Sequence, residues 1–126
     1  MTFYLAEFTH KETQKKFYKF GVTNRSFEWR FNPNLYKEDR YKYNEFDIKC
    51  IGSIECNEKQ SSKIENYFLK KYPKNFYLEN YLNKPYSYYS NGFTGITETV
   101  ILDDLELSKV KDVMKKIKET LSNLKP

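Results

Sequence analysis

Apolar and polar positions divide the chain into short segments whose periods differ. Phe3 to Phe8 is aromatic and strand-like, His10 to Lys16 is a polar turn, and Phe17 to Thr23 is a second strand-like run, so the chain opens with a hairpin. Gly21 inside the second run marks either a bulge or a place where another group approaches the backbone. Ser26 is placed to cap a short helix carrying Trp29 and Arg30, which stops before Pro33. Residues Asn32 to Glu45 are polar and charged, with Tyr36, Tyr41 and Tyr43 among them, and read as a long loop with room for a helical turn. From Asp47 to Cys56 apolar and polar residues alternate, which places Ile48, Cys50, Ile54 and Cys56 on one face of a third strand, with Ile51 as the exception.

Helical spacing takes over at Asn57, an N-cap with Gln60 in capping-box position. Ile64, Phe68 and Tyr72 recur every four residues, and Pro73 ends the run. Lys74 to Gly95 is aromatic, Asn-rich and irregular, and a short strand follows over Ile96 to Leu102. The Asp103–Asp104 pair favours a helix start. The last helix then runs to about Leu124, with Leu107, Val110, Val113, Met114, Ile117, Leu121 and Leu124 as its apolar stripe. The fold class is therefore α+β: a small, mainly antiparallel sheet of three core strands and a short late strand, flanked by helices. Residues 1–126 form one domain, the expectation for this length.

Composition changes this picture in two ways. Aromatic residues (12 Tyr, 10 Phe, one Trp) outnumber Val, Ile and Leu together, so the core must be built largely from rings. That favours burial over base stacking for most of the tyrosines between Phe76 and Phe93. Mean hydropathy is −0.85 and no apolar run approaches the ~20 residues that span a bilayer. The first residues carry no secretory pattern, so the expected location is cytoplasmic. Cys50 and Cys56 on one strand would lie about 20 Å apart, too far for a disulfide. With His10 as the single histidine, expected to be solvated in its turn, there is no zinc cluster. Cys–His and Ser–His–Asp nucleophilic chemistry is excluded unless His10 acts alone.

Four positions gain meaning as a set: Tyr4 in the first strand, Lys19 two residues before Gly21 in the second, Arg30 in the short helix, and Glu65 in the helix after the third strand. Glu65 lies about 60° round that helix from Phe68, on the rim of the buried face. A guanidinium fork suits a phosphodiester whose charge rises in the transition state. A lone carboxylate suffices for Mg²⁺, which keeps most of its waters. A tyrosine serves as general base if neighbouring cations lower its pKa.

The arrangement resembles the GIY-YIG nuclease family. Thr2-Phe3-Tyr4 stands at the Gly-Ile-Tyr motif and keeps the tyrosine; Lys19-Phe20-Gly21 stands at Tyr-Ile-Gly and keeps the glycine. A branch found in phage and microbial proteins reads Lys-Ile-Gly there, which is closer still. Gly21-Val22-Thr23 followed by Arg30 is similar to the family's run to its helical arginine, and Thr94 to Val100 to its late Gly-x-Thr-Glu strand. The likeness covers roughly Thr2 to Val100, with the C-terminal helix outside it. It implies a stand-alone Mg²⁺- or Mn²⁺-dependent DNA endonuclease. In that reading Tyr4 is the base, Arg30 and Lys19 hold the phosphate, and Glu65 binds the metal.

A net charge of +5 permits nucleic-acid binding, with Lys15, Lys16, Arg25, Lys37 and Arg40 as the expected phosphate-contacting rim. Lys70, Lys71, Lys115, Lys116 and Lys118 read instead as solvated helix faces. Two alternatives stay open: a catalytically inactive scaffold that binds nucleic acid or inhibits a protein, and an unrelated α+β interaction protein. RNA as the ligand and a monomer or homodimer as the assembly are equally open.

Overall fold

The structure is a computed structural model and describes residues 1–31, 42–89 and 98–124. Strand β1 (Thr2–His10) and strand β2 (Lys16–Thr23) form an antiparallel hairpin, in which Tyr4 faces Gly21 and Ala6 faces Lys19. A one-turn helix α1 (Phe27–Arg30) follows, and a 3₁₀ turn at Lys42–Glu45 leads into β3 (Phe46–Glu55). Helix α2 (Glu58–Lys71), the short helix α3 (Leu78–Leu82), the two-residue β4 (Thr99–Val100) and helix α4 (Asp104–Asn123) complete the order. The strands form one antiparallel sheet in the order β3-β1-β2-β4, so the fold is α+β with a C-terminal helix.

Both long helices begin where their side chains satisfy the free N–H groups. Asn57 accepts from the Gln60 amide while the Gln60 side chain accepts from the Asn57 amide, and Asp103 and Glu106 make the same reciprocal pair for α4. Asp103 is thus the cap of α4, and Asp104 stands in its first turn with Glu106.

The alternation of β3 is broken by a bulge. Leu5 faces Gly52 and Ala6 faces Cys50, leaving Ile51 as the extra residue. One inserted residue exchanges the faces of everything beyond it. Ile48 and Cys50 therefore join the core on one side of the sheet, and Ile54 and Cys56 the core on the other. The expectation that these four share a face is corrected on that ground. Both cysteines are free thiols.

The two cores differ in composition. Phe3, Leu5, Phe20 and Ile54 meet Ile64 and Phe68 of α2 and Val110 and Met114 of α4 on one face. Tyr4, Ala6, Phe8 and Phe17 meet Phe31, Tyr43, Leu78, Leu82 and Tyr89 on the other. Among the aromatic residues of 76–89, Tyr89 is fully buried while Tyr77 and Tyr86 are exposed. Leu124 is exposed rather than part of the α4 stripe. His10 corrects a further expectation. It ends β1 and is buried, with Nδ1 2.9 Å from Thr13 Oγ1 and Nε2 3.5 Å from a Glu45 carboxylate oxygen. No helix among the described residues is long and apolar enough to cross a membrane.

Candidate functional site

Tyr4, Lys19 and Gly21 project from the centre of the sheet toward the aromatic core. The Tyr4 ring packs edge-on against Phe27 of α1 and at a tilt against Phe31, with centroids 5.4 and 5.5 Å away. Gly21 is required directly beneath it, because a Cβ there would overlap the phenol. Of the two readings of Gly21, the close approach of another group is the one found, and that group is the Tyr4 ring.

Lys19 is almost fully buried, which is costly for an ammonium unless its protons find partners. Its Nζ donates to Tyr4 Oη at 3.1 Å and to Glu98 Oε2 at 3.1 Å. Burial lowers the Lys19 pKa and Arg30 adds to that; the Glu98 carboxylate pulls it back up. Burial likewise raises Tyr4 above its ordinary 10.0, with the charges of Glu98 and Glu65 adding and Arg30 opposing. The expectation that neighbouring cations depress Tyr4 is therefore reversed in the unliganded protein: desolvation outweighs Arg30.

Arg30, half-buried in the last turn of α1, donates from Nη1 to Tyr43 Oη at 3.3 Å and lies over the Phe31 and Tyr43 rings. Burial raises the Tyr43 phenol while Arg30 lowers it. Glu65 on α2 is half-buried, and its pKa is raised first by burial and then by the charge of Glu98, with Lys19 opposing. Tyr4, Lys19, Arg30 and Glu65 thus share one electrostatic neighbourhood: Arg30 and Glu65 act on the Tyr4 phenol, Arg30 on Lys19, and Lys19 on Glu65.

Two members were not singled out from the sequence. Glu98 ends the Gly95-Ile96-Thr97-Glu98 run, where the family likeness implies a strand and no role for the carboxylate. Tyr43 sits in a polar run that gives no periodic signal. The basic positions divide. Lys15 donates from Nζ to the Tyr81 carbonyl at 2.8 Å, and Lys16 pairs with Glu7 at 3.3 Å. Lys16 pairs across the hairpin with Thr9, five residues along β1 from Tyr4 or about 17 Å, so neither lysine borders the cluster. Arg25 lies in the turn between β2 and α1, at the Tyr4 end of the hairpin. Lys37, Arg40 and most of the Thr94 to Val100 segment fall outside the described residues.

No group of three or more metal-ligating side chains occurs among the described residues. Glu65 and Glu98 nevertheless form a pair of carboxylates close enough for one to raise the other's pKa. A hard divalent cation that retains its waters fits such oxygen donors; zinc, which wants thiolate or imidazole, does not. No family model, no curated protein and no solved structure matches this chain.

Proposed function

We propose that the protein is a metal-dependent endonuclease of GIY-YIG type that hydrolyses phosphodiester bonds of DNA. The supporting observation is the buried chain in which Lys19 bonds both the Tyr4 hydroxyl and the Glu98 carboxylate, with the charges of Arg30 and Glu65 acting on the same phenol. In this reading Arg30 holds the non-bridging oxygens of the attacked phosphate, and its existing bond to Tyr43 keeps the guanidinium aimed. For Tyr4 to act as the base, its phenol must first ionise and release its own proton to solvent; the phenolate oxygen then takes a proton from the attacking water and returns to the neutral phenol. Lys19 fixes the phenol by hydrogen bonding and supplies positive charge beside it. Glu98 opposes the burial that disfavours the charged form of Lys19.

Glu65, with Glu98 beside it, would hold Mg²⁺ or Mn²⁺, whose chemistry is to neutralise charge on the phosphate and to acidify bound water. A cation near Glu65 would also relieve the repulsion between the two carboxylates and lower the Tyr4 pKa, in the same direction as Arg30. The test is nicking or linearisation of supercoiled plasmid with Mg²⁺, with EDTA, and by Glu65→Ala. Cleavage that vanishes in both controls is expected; cleavage by Glu65→Ala at the full rate sinks the assignment.

One observation favours a second reading, a non-cleaving nucleic-acid-binding scaffold: burial holds the Tyr4 phenol in its neutral form. A folded protein that binds DNA stoichiometrically but never turns over, with Mg²⁺ or Mn²⁺, would establish it.

A further inference from the structure

Helix α4 and the β3 edge of the sheet enclose a groove of about 270 Å³ on the side away from the aromatic core. Residues 51–53 line it on the strand; Met114 with Lys111, Lys115 and Lys118 line it on the helix. Its floor is apolar and closely packed, since a Cβ on Gly52 would sit 3.0 Å from Met114 Cε. The three lysines follow i, i+4, i+7 spacing, so they fall within about 60° of the helix circumference and along about 10 Å of its axis.

No carboxylate belongs to the described lining, and none of the three lysines makes a salt bridge among the described residues. Like charges at i, i+4 cost a helix a few tenths of a kcal/mol, so unpartnered clustering here opposes helix stability. One strand of a duplex presents a phosphate every ~3.4 Å of axis, or about three over the length of this row.

We propose that the groove seats the phosphate backbone of duplex DNA, with Lys111, Lys115 and Lys118 each neutralising a phosphate. Lys115 and Lys118 are exposed in the free protein, as a solvated helix face requires; the phosphate backbone is a ligand added to that face. Ser53 pairs with Tyr4 across the β3–β1 ladder. The Ser53 and Tyr4 backbones are therefore one strand spacing, ~5 Å, apart, while the Tyr4 side chain lies on the opposite face of the sheet from the groove. The groove is a second contact that is consistent with the nuclease reading and does not require turnover.

The test is anisotropy of a fluorescein-labelled 30-bp duplex with the full chain, in EDTA, between 50 and 200 mM salt. Lys111→Gln/Lys115→Gln/Lys118→Gln should flatten the log–log salt dependence by roughly 2.7. The wild type then loses roughly forty-fold more affinity than the variant over that range. Lys59→Gln/Lys109→Gln/Lys116→Gln removes the same charge from exposed positions off the groove and should leave the slope within one unit of wild type.

Equal flattening by both triples, or none by the groove triple, overturns the proposal. So does loss of binding to phosphatidylserine vesicles alone. If the plasmid is never nicked but the groove triple flattens selectively, the nuclease reading falls and the groove stands. If nicking occurs and both triples bind alike, the groove falls and the nuclease reading stands.

Discussion

On the face covered by α2 and α4, Phe3 and Phe20 stack on Phe68 with centroids 5.3 and 5.2 Å away and planes within 16°, in a cluster dominated by aliphatic and aromatic side chains. On the opposite face the same two strands turn Tyr4 and Lys19 inward, and a nearly inaccessible ammonium hydrogen-bonds a nearly inaccessible phenol. The first face has the composition of a core that only has to fold. The second buries polar groups whose desolvation weakens stability unless each proton has a partner. Such groups gather where chemistry is done more often than where it is not.

That contrast is broken most strongly from the stacked side. Phe68→Ala should cost about 3–5 kcal/mol of stability, read as a shifted denaturation midpoint. DNA cleavage by the fraction still folded should be unchanged. Next in size is Arg30→Ala, which should lower the cleavage rate by a hundredfold or more, corresponding to about 3 kcal/mol of transition-state stabilisation. Its melting temperature should move little, because the guanidinium is only half-buried.

Gly21→Ala falls between the two faces. The new Cβ would force the Tyr4 ring off its site, so about 1–3 kcal/mol of stability and most of the cleavage should be lost together.

The smallest effect has a sign fixed by pKa. Glu65 has its folded pKa raised above 4.5, mainly by burial. The native state therefore holds that proton more tightly than the unfolded chain, and the favourable contribution, complete below pH 4.5, is lost as pH rises through the raised value. In EDTA at pH 7, Glu65→Gln should melt about 1–3 °C higher than the wild type. The gain should shrink to nothing as the pH falls below 4.5. Added Mg²⁺ should raise the wild-type melting temperature and leave the variant where it is.

Much of this architecture can be read from local chemistry. The capping box at Asn57 and Gln60 and the four-residue recurrence of Ile64 and Phe68 specify α2 through side-chain bonds and spacing that act within one turn. The burial of Ile64 and Phe68 follows from the same recurrence. Ile51 stood out as an irregularity in β3. The consequence, that Ile48 and Cys50 face away from Ile54 and Cys56, required the register of the partner strand, which a single strand's pattern does not contain.

His10 looked like a turn residue because its neighbours are polar. Its burial comes from Glu45 and Phe46, far along the chain. Within the candidate site, Tyr4, Lys19, Arg30 and Glu65 were legible as an ordered set of residue types. Neither the hydrogen bond that Tyr43 accepts nor the Glu98–Lys19 ion pair left a local trace. The reversal of the Tyr4 pKa was equally hidden, since desolvation depends on how completely Phe27, Phe31 and Gly21 enclose the ring.

The initial nicking rate of supercoiled plasmid in Mg²⁺, compared between the wild type and Tyr4→Phe, isolates the second face with the removal of a single oxygen. If Tyr4 is the proton acceptor, the wild type nicks and Tyr4→Phe is slower by at least about a hundredfold, the range that a general base contributes, while remaining folded. A folded Tyr4→Phe that nicks at the wild-type rate, or a wild type that nicks no plasmid at all, contradicts the assignment of this buried cluster to catalysis.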